Sequence, residues 1–369
     1  MRIAYVSLHW PRTRDSGVGK KIQSQIAAWR KMGHEVCLFM HTAEYKTPAD
    51  LIDANYFFYN VTGKVRTEFN RVAAARQMFA ALQDFLPDII YLRYGIYVYP
   101  LHLLSNIACV IEEINTNDLT QHEGLGLIYS VYNRLTRGIL FRRIHGLITV
   151  SRELANSSAF AGYHKPTQVI ANGINLKEFP LLPAPANKNP RVVFIGNPGY
   201  AWHGMDKLVM LARLTPDVHL DIIGYHELPE LEPLPANISL HGYLGFQDYI
   251  KVLEMADVAI SSLALHRVHL EEASPLKSRE CLAFGLPLVI AYVDTDLDDL
   301  NFDFILRIPN KEDNIQTHAQ VIRDFAYRMR GVRVERKLVE RLDQLNKELK
   351  RIAFFEGVLL SKSKGSVVS

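Results

Sequence analysis

The sequence contains few cysteines, and their spacing does not suit a metal site. Only three occur in 369 residues, Cys37, Cys109 and Cys281, and each lies among apolar residues. A disulfide framework or a cysteine-ligated zinc site needs more cysteines at closer, regular spacing. We therefore expect three reduced core thiols, which are typical of a cytoplasmic protein.

Long apolar runs are also missing. No run reaches the roughly 20 residues that a helix needs to cross a bilayer. The N-terminal residues MRIAYVSLHWP resemble a buried strand and contain no cleavage site of a secretory signal. Both absences predict a cytoplasmic location.

A large charge of one sign is absent as well. The net charge is only +3, but residues 1–180 carry 20 Lys/Arg and 14 Asp/Glu, whereas the remainder carries 22 and 25. This excess is too small to indicate nucleic-acid binding. It favours an anionic membrane surface, such as the inner face of the membrane, or a phosphorylated acceptor as a partner of the first half.

Neither common glycine-rich phosphate loop is present. Ser16, Gly17, Val18 and Gly19 form a turn that precedes a predicted helix. A dinucleotide fingerprint needs a third glycine where Ile22 stands, and a P-loop needs other residues on both sides of this turn. By its residues alone, the turn is explained by geometry, since its glycines permit a tight turn before the helix.

The patterns that are present predict two α/β domains. The length suits two cores, and 48% hydrophobic with 22% charged residues is typical of a globular protein. Strand, glycine turn, helix and strand follow one another over residues 2–40, and this unit recurs down the chain. Four prolines in residues 180–190 mark a linker. We therefore predict domains over 1–179 and 191–330, and C-terminal helices over 318–329 and 334–355.

Polar residues follow the predicted strand that begins at residue 110. Glu112 and Glu113 are followed by Asn115, where ligands bind in open parallel sheets. Glu113 either faces a ligand or is a buried, paired carboxylate, and the sequence does not distinguish the two.

Residues 125–144 predict a helix with an apolar and a basic face. Membrane contact is one interpretation. We favour the other, a core-packed helix whose arginines reach solvent. Ser151 is the expected N-cap of the next helix.

The stretch from 271 to 289, EEASPLKSRECLAFGLPLV, carries the strongest functional pattern. Ser274 as N-cap, Pro275 at the first helical position and Gly285 as terminator define a helix. Its N-terminus is an anion site, and Lys277 adds a cation there. Glu272 and Glu280 flank this N-terminus and suit different parts of one elongated ligand.

This stretch resembles the nucleotide-sugar motif of family 4 glycosyltransferases, in which Glu-x7-Glu precedes Leu-Ala-x-Gly-Leu-Pro. Residues 168–179, QVIANGINLKEF, are similar to the family's VIPNGVDxxxF signature. The resemblance implies the GT-B fold, with two Rossmann-like doubly wound domains facing across a cleft and a C-terminal segment, 331–369, packing back on the first. It also implies retaining transfer of a sugar from a nucleotide diphosphate sugar to a hydroxyl of a glycan or lipid-linked acceptor, in cell-surface glycan or polysaccharide assembly.

The resemblance also implies roles for single residues. Glu272 contacts the donor sugar, Glu280 holds the ribose, and no enzyme base is required because a phosphate oxygen takes the proton. The diphosphate is bound without a metal, so Asp294-Thr295-Asp296 is expected to be a loop. The remaining donor-binding positions are Gly17, Val18, Asn172, Asn197, His203, Gly224, Tyr243, Leu244, Ser274, Pro275, Leu276 and Lys277.

Three positions depart from the family pattern. Asn115 replaces a histidine near the donor sugar, and Asn197 and His203 replace an arginine and a lysine that meet the diphosphate. Asn115 and His203 stay candidate catalytic residues, with Lys277 as a source of the missing charge. The departures keep open an alternative, a nucleotide-sugar-binding pseudoenzyme without transfer activity. A nucleotide-sugar epimerase fits the motifs less well.

Overall fold

The computed structural model describes residues 1–9, 17–43, 52–119, 126–298 and 301–365. It contains two compact units, one formed by Met1–Ala171 with Gln344–Ser369 and the other by Asn172–Asp343. These boundaries differ from the positions near 179 and 331 that the sequence favours.

The first unit is built on a seven-stranded sheet in the order β3-β2-β1-β4-β5-β6-β7, in which all neighbours are parallel. Its central strands are buried, which explains their continuous apolar sequences. The strands are β1 (Arg2–Ser7), β2 (Glu35–Ala43), β3 (Asn55–Tyr59), β4 (Ile89–Arg93), β5 (Cys109–Ile114), β6 (Gly146–Thr149) and β7 (Thr167–Val169).

The second unit has a parallel six-stranded sheet in the order β10-β9-β8-β11-β13-β15, and a separate pair, β12-β14. Its strands are β8 (Arg191–Ile195), β9 (His219–Ile223), β10 (Ile238–Gly242), β11 (Val258–Ile260), β12 (Glu272–Ala273), β13 (Leu288–Ile290), β14 (Val293–Asp294) and β15 (Ile305–Arg307).

Helices connect the strands of both units, as right-handed crossovers between parallel strands require. They are α1 (Gly17–Lys31), α2 (Lys64–Phe85), α3 (Leu127–Phe141), α4 (Arg152–Asn156), α5 (Ser158–Ala161), α6 (Met205–Leu214), α7 (Phe246–Met255), α8 (Leu276–Ala283), α9 (Asn314–Arg328) and α10 (Gln344–Gly365). Within the described residues, none of them is long and apolar enough to cross a membrane.

Aromatic packing joins α10 to the rest of the first unit. Trp29 of α1 is fully buried, and its ring centroid lies 5.2 Å from that of Tyr91 and 5.5 Å from that of Phe355. The Trp29 indole donates a 2.7 Å hydrogen bond to Glu348 of α10. The last helix of the chain therefore belongs to the core of the first unit.

Local sequence patterns correctly predicted features that short-range contacts determine. The Ser151 cap is confirmed, since its hydroxyl accepts a 3.2 Å hydrogen bond from the Leu154 amide. All three cysteines are free thiols, and Cys109 and Cys281 are buried.

Tertiary contacts overrode the prediction of one continuous C-terminal helix. A 3-10 helix, Arg336–Leu342, comes first, and α10 begins only at Gln344. Between them, the Leu342 carbonyl accepts a 2.9 Å hydrogen bond from the Ile174 amide, and Asp343 bridges to Ile174. This pairing holds the backbone extended and interrupts the helix.

The prediction that α3 packs its apolar side against the core is wrong for most of the helix. Leu127 and Leu135 are 80% and 75% exposed, whereas Asn133 and Arg137 are buried. The helix thus turns a polar side inward because a buried aspartate, Asp118, offers it hydrogen bonds.

Candidate functional site

The motif helix α8 begins one residue later than predicted. Pro275 is the N-cap and Leu276 the first helical residue, whereas the sequence suggested Ser274 as the cap. The reason is that Ser274 is used elsewhere: its hydroxyl accepts a 3.2 Å hydrogen bond from the Asn172 amide. The Asn172 side chain donates a 2.8 Å bond to the Ser274 carbonyl. The Asn172-Gly173 turn therefore lies directly against the entry to α8.

The end of α8 follows the predicted pattern. Gly285 adopts φ +88°, a left-handed conformation that favours glycine, and ends the helix. The Leu286 amide then bonds to the Cys281 carbonyl at 2.9 Å. The helix length and direction are thereby set, with the N-terminal turn at Leu276 and Lys277.

The two glutamates of the motif occupy different surroundings. Glu272 lies on β12 and is 8% exposed, and Glu280 lies on α8 and is half-buried. Burial and, to a smaller extent, the Glu280 carboxylate raise the pKa of Tyr249 well above its usual value. Both glutamates therefore lie in the same unit as α8, one before and one within the helix.

A chain of hydrogen bonds runs from Lys277 to Asn197. The Lys277 Nζ lies 2.9 Å from the Nε2 of His203, and the Nδ1 of His203 lies 2.9 Å from the Tyr225 hydroxyl. Tyr225 donates a 2.7 Å bond to the Asn197 carbonyl. With Lys277 donating to Nε2, the neutral imidazole carries its proton on Nδ1 and donates it to the Tyr225 hydroxyl, so both ring nitrogens of His203 are paired.

The electrostatics of this chain leave one candidate cation. Burial and the neighbouring Lys277 lower the pKa of His203 to about 3, so His203 is neutral near pH 7. Burial also lowers the pKa of Lys277 to about 7, against a weaker opposing effect of Cys281. Among the described residues, no carboxylate forms an ion pair with Lys277, whose ammonium lies 4.8 Å from the Phe194 ring centroid. Lys277 rather than His203 is therefore the group that an anion would charge.

The strand ends near the predicted base-binding residues are tightly packed. Gly224 has φ +93°, and a Cβ there would lie 1.8 Å from the Gly196 carbonyl oxygen. Only glycine fits at position 224, because any Cβ there would clash with the Gly196 carbonyl oxygen. Tyr243, in contrast, is 65% exposed, with its ring 5.6 Å from that of His226. Leu244 is half-buried beside it.

The Asp294-Thr295-Asp296 segment binds an arginine. Arg279 of α8 is fully buried and forms ion pairs with Asp294 and, at 3.1 Å, with Asp296. Its Nε also donates a 3.2 Å bond to the Asn172 carbonyl. No group of three metal-ligating side chains occurs among the residues that the structure describes. Arg279 was not predicted as a functional residue, although its place in the motif helix and the later Asp-x-Asp segment are both visible in the sequence.

In the first unit, Glu113 is the buried, paired carboxylate of the two alternatives. It contacts Lys21 and Arg93 at 2.9 Å each and Arg351 at 3.7 Å. Burial alone would raise its pKa, but the three cations outweigh burial and hold the pKa well below its usual range. Lys21 also donates a 2.9 Å bond to the Asn115 side chain. Asn115 is therefore positioned by the same buried cation that neutralises Glu113.

Glu112, the neighbour of Glu113, has the opposite ionisation. It is fully buried on the other face of β5, and neither carboxyl oxygen has a hydrogen-bond partner among the described residues. Burial and the nearby Asp118 raise its pKa well above the usual range. Glu112 is therefore a neutral acid.

The glycine turn before α1 is described only in part. Gly17 and Val18 are the first two residues of α1, with Gly17 exposed and Val18 half-buried. Ser16, which the sequence analysis assigned to this turn, lies outside the described residues.

Comparisons with known proteins agree with this architecture. Residues 16–178 match the model of Glycosyltransferase Family 4. No curated protein matches the chain. Among solved structures, the lipopolysaccharide outer core galactosyltransferase WaaB is similar at 13% identity and TM-score 0.68, over 98% of this chain and 100% of that one.

Two further structures have the same fold. Sucrose-phosphate synthase from Thermosynechococcus elongatus matches with 14% identity and TM-score 0.64, over 99% of this chain and 98% of that one. Anabaena HepE, solved with UDP and glucose, matches with 15% identity and TM-score 0.63, over 97% and 100%. At such identities the likeness concerns the fold.

Proposed function

We propose that the chain is a glycosyltransferase of family 4 with the GT-B fold, and that it transfers a sugar from a nucleotide diphosphate sugar to an acceptor hydroxyl with retention of configuration. The family match covers residues 16–178, and one of the structures with the same fold, HepE, was solved with UDP and glucose. These findings support a nucleotide-sugar donor.

One observation carries the proposal: no carboxylate of the described residues forms an ion pair with the Lys277 ammonium. It lies in the first turn of α8, where the helix dipole and unpaired amides already favour negative charge. Its pKa is lowered to about 7 by burial, and no described carboxylate neutralises it. A diphosphate placed against this turn would restore the charged form of Lys277 and bind the exposed amides.

The other motif residues acquire roles around that diphosphate. We assign Glu272 to orienting the donor sugar and Glu280 to holding the ribose, with Tyr243, Leu244 and the backbone at Gly224 against the base. The bond from the anomeric carbon to the diphosphate breaks, a bond to the acceptor oxygen forms, and the acceptor proton passes to a phosphate oxygen. Asn197 and His203 act indirectly, because His203 and Tyr225 hold Lys277 in place.

The acceptor is assigned to the first unit. Its basic character and exposed aromatic side chains suit a lipid-linked or polysaccharide acceptor, in agreement with a cytoplasmic role in cell-surface glycan assembly. Asn115 contributes a hydrogen-bonding amide there, oriented by Lys21.

The first test measures binding and turnover separately. Calorimetric titration with UDP-, GDP-, ADP- and dTDP-sugars, with and without Mg²⁺, should show one preferred donor at micromolar affinity, and release of the nucleoside diphosphate should follow when an acceptor is supplied. Glu272→Ala should lower turnover by at least about a hundredfold while the protein remains folded, because interactions made in the transition state are lost.

A neighbouring residue provides the control for that variant. Glu271 adjoins Glu272 but is exposed and accepts a hydrogen bond from Asn310, so Glu271→Ala should retain turnover. Full activity of Glu272→Ala would refute the assigned role.

The alternative function, a nucleotide-sugar-binding protein without transfer activity, is favoured by one observation. Neither Asn197 nor the neutral His203 supplies the positive charge that the family places at these positions. Donor binding without hydrolysis or transfer, across a panel of glycan and lipid-linked acceptors, would decide for this alternative.

A further inference from the structure

We propose that helix α3 of the first unit docks on a bilayer that contains anionic lipids, with its apolar side in the interfacial region. This apolar side, called the α3 face below, consists of Leu127, Ile128, Val131, Leu135 and Ile139. The inference concerns where the protein resides and is independent of the transfer reaction.

The α3 face is an exposed stripe with helical periodicity. Its residues recur every three or four positions, so they share one side of the helix. The exposed fractions are 80% for Leu127, 68% for Ile128 and 75% for Leu135, with Val131 and Ile139 also exposed. A contiguous apolar surface of this kind on a water-soluble domain marks an interaction site.

The opposite side of α3 explains why the stripe points outward. Arg137 makes two hydrogen bonds to the Asp118 carboxylate, at 2.7 and 2.8 Å, and a third to the Ala159 carbonyl at 2.9 Å. Asn133 donates to the same carboxylate at 2.7 Å. Turning the helix to bury its leucines would leave Asp118 uncompensated in the core, so the outward orientation is built into the fold.

The charges beside the α3 face favour an anionic bilayer as its partner. Residues 127–144 contain four arginines and no acidic residue, and Arg134, Arg142 and Arg143 are exposed. The first unit as a whole carries 24 Lys/Arg and 15 Asp/Glu, a net charge of +9, whereas the second carries 18 and 24, a net charge of −6. Apolar side chains bordered by arginines match the acyl chains and anionic headgroups of a bilayer surface.

The same charges disfavour a second copy of the chain. A two-fold dimer through the α3 face would bring like arginines of both copies together around an apolar centre.

Vesicle flotation of the full chain, without donor or acceptor, tests the proposal. The protein should float with vesicles of phosphatidylcholine and phosphatidylglycerol, stay in solution with phosphatidylcholine alone, and dissociate as salt is raised. Leu127→Ser/Leu135→Ser should weaken binding by on the order of tenfold for each leucine removed from the bilayer. Arg134→Glu should weaken it severalfold.

Matched variants separate the α3 face from general effects. Leu349→Ser/Leu360→Ser removes two leucines of α10 that are 51% and 62% exposed and should leave binding unchanged. Arg328→Glu, in the second unit, changes the net charge by the same amount as Arg134→Glu does in the first. Unlike Arg134→Glu, it should have little effect on vesicle binding. Unchanged unfolding temperatures would show that the α3 variants are folded.

Three results would overturn the proposal. These are no flotation of the wild-type protein with anionic vesicles at low salt, equal flotation of Leu127→Ser/Leu135→Ser, and a concentration-dependent dimer that these two substitutions abolish. The last result would assign the α3 face to self-association. Since the assay contains no sugar donor, a failed transfer reaction would not affect its outcome.

Discussion

Two lysines with lowered pKa values, buried Lys21 in the first unit and half-buried Lys277 in the second, have different partners. Lys21 is neutralised by Glu113 at 2.9 Å, and burial lowers its pKa to about 8. Lys277 has no ion pair among the described residues, contacts neutral His203, and has a pKa lowered to about 7. The first arrangement is complete within the protein and stabilises the fold. The second would be completed by an anionic ligand, as the proposed diphosphate site requires.

Neutralising Glu113, the ion-pair partner of Lys21, should have the largest effect. Glu113→Gln removes the buried carboxylate that pairs with Lys21 and Arg93, whereas Arg351 keeps its ion pair with Glu348. It should lower the free energy of unfolding by about 3–5 kcal/mol. Urea unfolding at pH 7 measures this loss. Acid should reproduce it, because the pKa of Glu113 is depressed and its stabilisation disappears as pH falls through that low pKa.

Glu112→Gln is the matched control for that variant. Glu112 is already neutral, since its pKa is raised well above the usual range, and glutamine keeps its shape. The loss should stay below about 1 kcal/mol. Equal losses for the two variants would contradict the assignment of one ionised and one neutral glutamate.

Removal of the Lys277 ammonium should weaken ligand binding without unfolding the protein. Lys277→Met should weaken nucleotide-sugar binding by on the order of a hundredfold, measured by calorimetry, because a buried charge contact to the diphosphate is lost. The free energy of unfolding at pH 7 should rise, because the group whose lowered pKa disfavours folding below its unfolded pKa is removed. Lys251→Met, at an exposed lysine paired with Asp248, should leave affinity unaltered.

The pH dependence of donor binding sharpens the comparison. A diphosphate raises the pKa of Lys277, so binding takes up a proton above pH 7, and affinity should fall by up to about tenfold per pH unit. Lys277→Met should flatten this profile between pH 7 and 9. A wild-type profile that is already flat over this range would show that Lys277 does not charge on binding.

Stability of the unliganded protein should change in the other direction with pH. The folded pKa of Lys277 lies below its unfolded value, so between the two the unfolded state binds the extra proton and stability rises with pH. The contribution is the difference in slope between the wild-type protein and Lys277→Met, at most about 1.4 kcal/mol per pH unit.

The smallest effect is expected at Tyr225, which is connected to Lys277 through His203. Tyr225→Phe removes the hydroxyl between His203 and the Asn197 carbonyl, and should cost about 1 kcal/mol of stability and lower donor affinity only severalfold. Tyr200→Phe, at an exposed tyrosine, is the control. A hundredfold loss of affinity in Tyr225→Phe would assign this hydroxyl to direct ligand contact.

Much of the fold could be predicted because its signals are local. The buried strands, the Ser151 cap and the Gly285 terminator each depend on residues within a few positions. The motif helix was located correctly, but its cap was displaced by one residue because Asn172 bonds to Ser274. Arg279 and Tyr225 were missed, since their partners, Asp294 and His203, are distant in sequence or lie on other elements.

By itself, the sequence determined the order of strands and helices, the motif with Glu272, Lys277 and Glu280, and the family resemblance. Only the tertiary structure decided that Glu113 is ionised and Glu112 neutral, that His203 is uncharged, and that α3 turns its leucines outward. The physical reason is that ionisation and burial depend on which groups meet in space. Lys277 and His203, for example, are 74 residues apart and yet in hydrogen-bond contact.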